Sequence, residues 1–147
     1  SKFQIDIAKG VCDSLGIKYI DATVSNSNEI QQVTQSLVGK VDAIYSPTDN
    51  MIAAGIATVA LVAEPAKIPV FCGETGMASN GGLATYGINY YELGKQTAKQ
   101  AVSILKDGKN PAEMPIEYLE NADLYINKKT VDALGITIPT ELQYGIK

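Results

Sequence analysis

The order of elements in this 147-residue chain predicts an α/β domain built on a doubly wound parallel sheet. Three observations carry that prediction. Short apolar runs bounded by glycine or proline alternate with stretches of helical periodicity. Each of three such runs, Val41–Tyr45, Ile68–Cys72 and Leu83–Gly87, ends in a polar turn that leads into a helix. The connections between runs and helices are short. Ligands of such sheets bind at the carboxyl ends of the strands, so the polar turns are the first place to look for a site.

Residues 2–15 are predicted helical, with Phe3, Ile7, Val11 and Leu15 on one face and Gly16 as the stop. Ile17–Val24 reads as a strand that puts Ile20, Ala22 and Val24 on one side. Asn26 and Glu29 have capping-box spacing, with Asn in place of Ser or Thr. Ile30, Val33 and Leu37 line the helix that follows, and Gly39 closes it. After the predicted strand Val41–Tyr45, Thr48 or Asp49 is placed to cap a helix over 50–63 that stops before Pro65. Ala53, Ala54, Gly55 and Ala57 let that helix lie close to a sheet.

Ile68–Cys72 is the next predicted strand. Gly73–Gly76 is a polar turn before a short helix, and Asn80-Gly81-Gly82 turns the chain into the strand Leu83–Gly87. Ile88–Tyr91 opens a long amphipathic helix over 90–107, with Tyr90, Leu93, Gly94, Thr97, Ala98, Ala101 and Leu105 on one stripe. The tail holds an extended segment around Leu124–Ile126 and a helix 128–134 between Asn127 and Gly135. The chain opens on a helix with no strand before it. A doubly wound unit places its first strand between its second and third, so this order leaves two sheet edges facing a gap.

Composition excludes several classes. A net charge of −4 argues against a nucleic-acid footprint. No apolar run approaches a membrane span, and no signal-peptide pattern is present. There is no histidine, which removes the usual general base, the Ser-His and Cys-His pairs and most transition-metal sites. Cys12 and Cys72 lack CxxC spacing and read as small buried hydrophobes rather than a disulfide. Gly73–Gly76 is not GxGxxG, and no Walker motif occurs, so no cofactor is expected.

The candidate site is the set of three turns. Thr48, Asp49 and Asn50 place a hydroxyl, a carboxylate and an amide side by side, more than a cap alone needs. The helix start beside them offers amides suited to a ligand carboxylate. Glu74 reads either as a loop charge or as the partner of a ligand ammonium group, with Thr75 next to it. Asn89 both donates and accepts, and Tyr90 or Tyr91 offers a face to an aromatic ligand. Asp49 and Glu74 as an acid/base or magnesium-binding pair is the weaker reading, and the chain is expected not to be an enzyme.

Five separated stretches resemble one family. They are Ala22–Glu29, Val41–Asn50, Ile68–Glu74, Ala84–Gly94 and Leu134–Pro139. In order, and over nearly the whole chain, they are similar to substrate-binding proteins of ABC importers, in the branch that takes tryptophan and tyrosine. The resemblance implies a type I periplasmic-binding-protein fold, in which two lobes close on a small ligand. It further implies that this chain is the carboxyl-terminal half, lacking the first strand of its lobe. Residues 1–89 would then be part of that lobe, 90–113 a hinge and a helix that packs on the other lobe, and 114–147 the return segment. Asp49 stands where an Asp of similar sugar-binding members touches ligand. Asn89 stands in the hinge, where the family often has Asp. An exported periplasmic protein or cell-surface lipoprotein is implied, partnered by a membrane permease and by the missing amino-terminal lobe or a second copy. The effector domain of a transcription regulator shares this fold, and a flavodoxin-like enzyme or signalling domain is the third class.

Overall fold

The computed structural model describes residues 2–119 and 122–147. In chain order the elements are α1 (Lys2–Leu15), α2 (Ile30–Leu37), β1 (Ile44–Ser46), α3 (Asn50–Ala54), α4 (Ile56–Ala63), β2 (Val70–Cys72), α5 (Thr75–Ser79), β3 (Ala84–Gly87), α6 (Tyr90–Leu105), β4 (Asp123–Ile126) and α7 (Lys128–Leu134). The four strands form one sheet in the order β1-β2-β3-β4. β1, β2 and β3 run parallel; β4 closes the far edge antiparallel to β3, pairing Thr85 with Tyr125 and Tyr86 with Leu124. Part of the extended segment expected over 114–126 falls at Glu120 and Asn121, outside the described residues.

Strand alternation sorts the side chains. Val70 and Cys72 point into a core with Ile30 of α2, Ile56, Val59 and Ala63 of α4, and Met77 and Ala78 of α5. Those three helices therefore cover one face. Among the described residues the opposite face is covered over β3 and β4, where Ile136, Ile138 and Ile146 pack near Ile126 and Leu83. Over β1 and β2 the described residues leave it largely open. Tyr45 and Phe71, paired across the strands, are 44% and 43% exposed. They line an apolar cavity of about 870 Å³, bordered by Gln4 of α1 and by residues 136–139.

Two sequence expectations meet corrections. The predicted strand Ile17–Val24 has no ladder partner among the described residues. A strand needs a neighbour for its N–H and C=O groups, and β1 pairs on one side only, with β2. Lys9 of α1 holds this segment instead, bridging to Asp21 at 2.5 Å and standing 5.5 Å from the Tyr19 ring centre. The helix predicted over 50–63 is broken at Gly55 into α3 and α4.

Among the described residues the apolar stripes of α1 and α6 find no cover. Neither helix has a buried residue. Total accessible surface is 9780 Å², against about 7,250 Å² expected for a compact monomer of this mass. The excess, about 2,500 Å², is on the scale of a permanent interface rather than of scattered surface hydrophobes.

Candidate functional site

The turns after β1, β2 and β3 lie at the same end of the sheet because the three strands are parallel neighbours. Two glycines let them touch. A Cβ on Gly73 would lie 2.5 Å from the Thr48 backbone nitrogen and 2.8 Å from the Pro47 carbonyl carbon. A Cβ on Gly87 would lie 2.6 Å from the Gly73 carbonyl oxygen. Thr48 Oγ1 donates a long bond, 3.4 Å, to that same carbonyl. The three turns thus form one continuous rim.

Each turn caps its own helix, and each cap uses a residue singled out from sequence. Asp49 Oδ1 accepts from the amides of Met51 and Ile52. Glu74 accepts from Gly76 through Oε2 and from Met77 through Oε1, both at 2.6 Å, and is only 8% exposed. Asn89 Oδ1 accepts from Tyr91 and Glu92. The helix-start amides expected to meet a ligand carboxylate are therefore occupied by the protein's own side chains. Glu74 is turned inward with both oxygens committed to amides, a geometry that shapes its turn rather than presenting a charge at the rim.

The other candidates are better placed to be reached. Asn50 is exposed at the first turn of α3. Thr75 donates its hydroxyl to the Ile88 carbonyl, tying the second turn to the third. Tyr90 is 52% exposed. Asn89 has a second tie: its Nδ2 donates to Asp123 Oδ2 at 2.8 Å, joining the start of α6 to the start of β4. Asp49 Oδ2 has no partner among the described residues.

Sequence reasoning missed Gly73 and Gly87 as site residues, although both sit where an apolar run meets a polar turn. It also missed Gln4 and Asp123, for which no local signal exists, since each reaches the site from an element distant in sequence. Cys72 lies behind the rim, buried, with its thiol pushed up from 9.0 to about 12 by burial and by the nearby Glu74 charge. At pH 8 that leaves it almost wholly protonated and inert. Cys12 is partly exposed and unbridged. Native protein treated with iodoacetamide at pH 8 is expected to alkylate at Cys12, with Cys72 labelled only on unfolding; mass mapping that finds rapid Cys72 labelling contradicts this placement. Because the folded thiol titrates above the unfolded one, its contribution to stability holds below about pH 9 and is lost between about pH 9 and 12.

The fold has known counterparts. A family model described as ABC transporter substrate binding protein matches residues 1–144. A curated relative, the tyrosine-binding protein of Clostridioides difficile, is 36% identical over 136 residues, which is 92% of this chain and 39% of that protein. Among solved structures, an ABC domain in complex with L-Trp from Streptococcus pneumonia matches at a TM-score of 0.87 and 34% identity, covering 99% of this chain and 50% of that one. A conserved domain protein of Vibrio cholerae matches at 0.85 and 35% identity, over 98% of this chain and 49% of that one. The ligand-free, open structure of a substrate binding protein with adhesive properties from Clostridium difficile matches at 0.76 and 36% identity, again over 49% of its length. The chain spans about half the length of these solved relatives and less of the curated one. On a match that runs through all the elements of the lobe, the chain belongs to the ABC transporter substrate binding protein family.

Proposed function

We propose that this chain is one lobe, the carboxyl-terminal one, of an exported solute-binding protein that captures an aromatic amino acid for an ABC importer. It does no chemistry on its ligand and closes against a second lobe. The observation that carries the reading is the continuous rim of three strand-end turns, pressed together at Gly73 and Gly87. Relatives named for tyrosine binding or solved with L-Trp support the ligand class.

In this reading Thr48, Asp49, Asn50, Thr75, Asn89 and Tyr90 form one wall of the cleft. Glu74 fixes the middle of that wall from behind. Asp49 Oδ2 takes the ligand ammonium, Asn50 and Thr48 supply hydrogen bonds, and Tyr90 lies against the aromatic ring. The other wall, and the cover for α6 and the bare sheet face, comes from the second lobe. The excess surface of about 2,500 Å² supports such a cover. Delivery is to a membrane permease from the periplasm or the outer cell surface. Among the described residues no helix is long and apolar enough to cross a membrane.

Thermal unfolding of the full-length protein against the twenty amino acids, several sugars and several nucleosides tests the reading. L-Trp, L-Tyr or L-Phe at a hundred times Kd is expected to raise the midpoint by about 5 °C. In Asp49→Ala the unliganded midpoint falls by the lost cap, about 1 kcal/mol, and the ligand-induced rise disappears. A rise produced only by a sugar or a nucleoside overturns the ligand class.

A further inference from the structure

We propose that Gln4 is a positioning residue for the binding rim, acting through Thr48. The proposal rests on the reading of that rim as the ligand site. Gln4 lies 44 residues upstream of Thr48, yet from the first turn of α1 it reaches the turn after β1 with both ends of its amide. Gln4 Oε1 accepts the Thr48 backbone N–H at 2.9 Å, and Gln4 Nε2 donates to Thr48 Oγ1 at 3.4 Å. Thr48 in turn donates to the Gly73 carbonyl. One side chain thereby links α1, the turn after β1 and the turn after β2.

The chemistry of the turn makes this tie consequential. Pro47 has no N–H, so the Thr48 amide is the first donor after β1. Further along the turn, the amides of Met51 and Ile52 are taken by Asp49. Without Gln4, Thr48 has no partner for its N–H and can rotate its hydroxyl away from Gly73. The position of Asp49 and Asn50 follows from that of Thr48, because all three share one tight turn. α1 itself is held at its other end by Lys9, which bridges to Asp21 and stands over Tyr19; it buries no residue, and its apolar stripe, Phe3, Ile7, Val11 and Leu15, is more than half exposed. The Gln4 amide thus acts on the turn as a local constraint, and burial of the helix contributes little to it.

The experiment uses the full-length protein and two variants, Gln4→Leu and Gln4→Glu. Leu keeps the approximate size and removes both bonds. Glu keeps the acceptor for the Thr48 N–H. Exchange of the Thr48 amide, followed by NMR, is expected to quicken about tenfold in Gln4→Leu and to stay within about twofold of wild type in Gln4→Glu. Affinity for L-Tyr and L-Trp, by calorimetry, is expected to weaken about fivefold in the Leu variant and to recover in the Glu variant, a rescue that a general loss of helix stability would not give. Unchanged Thr48 exchange in Gln4→Leu overturns the proposal, as does faster exchange with unaltered affinity. Failure of the wild-type protein to bind any aromatic amino acid overturns the ligand reading instead, and the exchange measurement still decides whether Gln4 holds the turn.

Discussion

Gly73→Ala is expected to lower the unfolding midpoint by about 6 to 9 °C and to abolish ligand binding. The reason is steric and local. The added Cβ would sit 2.5 Å from the Thr48 nitrogen, 2.7 Å from its Oγ1 and 2.8 Å from the Pro47 carbonyl carbon. Two of these atoms are backbone, so no side chain can swing aside to make room. The turns after β1 and β2 must move apart, at the cost of an overpacked core position, about 2–3 kcal/mol, or about 3 °C per kcal/mol for a chain of this size. Gly73 has no positive φ, so dihedral strain adds nothing and the whole effect reports contact. Moving the turns apart also breaks the rim, which is why binding is lost and not merely weakened. Gly10→Ala is the control. It lies inside α1, off the apolar stripe, with nothing within 4 Å of the added Cβ, and helix propensity makes it stabilising by about 0.5–1 kcal/mol. Urea unfolding of the two variants decides the matter: Gly73→Ala at the wild-type midpoint would mean that the turns are not in contact.

The elements that the sequence predicted well are those whose signals are local. The helix over 2–15, the cap at Asn127 and the stop at Gly135 all appear where the periodicity and capping residues put them. Gly135 takes the left-handed conformation, φ 72°, that a helix stop of this kind uses. Asn26 and Glu29 also pair, though not as a standard capping box. Glu29 accepts from the Ser25 amide and from Asn26 Nδ2, since an Asn at this position brings its own donor. What failed was non-local. Ile17–Val24 has strand composition, but pairing requires a neighbour, and composition cannot supply one. The candidate site divides along the same line. The turns were visible because polar residues follow apolar runs. Self-capping was expected at Thr48 or Asp49, and Asp49 provides it; at Glu74 and Asn89 it was not foreseen, because those side chains carry the same chemistry whether they face a ligand or their own helix.

Asn127→Ala is expected to cost about 2–4 kcal/mol, and its conservative variant separates the sources. Asn127 is 8% exposed and spends its side chain twice. Its Oδ1 caps α7 through the amides of Lys129 and Thr130, while its Nδ2 donates to the Ala78 carbonyl at 2.9 Å. Loss of the cap costs about 1 kcal/mol. The Ala78 carbonyl belongs to a residue with no exposed surface, and leaving it without its donor adds about 1–3 kcal/mol. Asn127→Asp keeps an oxygen for the cap but turns a carboxylate oxygen toward the carbonyl, acceptor against acceptor. If the cap dominates, Asp is nearly neutral; if the bond to Ala78 dominates, Asp is as damaging as Ala or worse. Burial at both ends favours the second outcome, because a buried charge facing a carbonyl dipole has no water to relieve it. Urea midpoints of the two variants distinguish the cases. The result also bears on the site, since the Asn127 side chain ties the β4–α7 return to α5, and α5 is capped by Glu74. If the bond to Ala78 dominates, the Asp variant is also expected to weaken ligand binding, because the middle turn of the rim is then held from the side opposite the cleft.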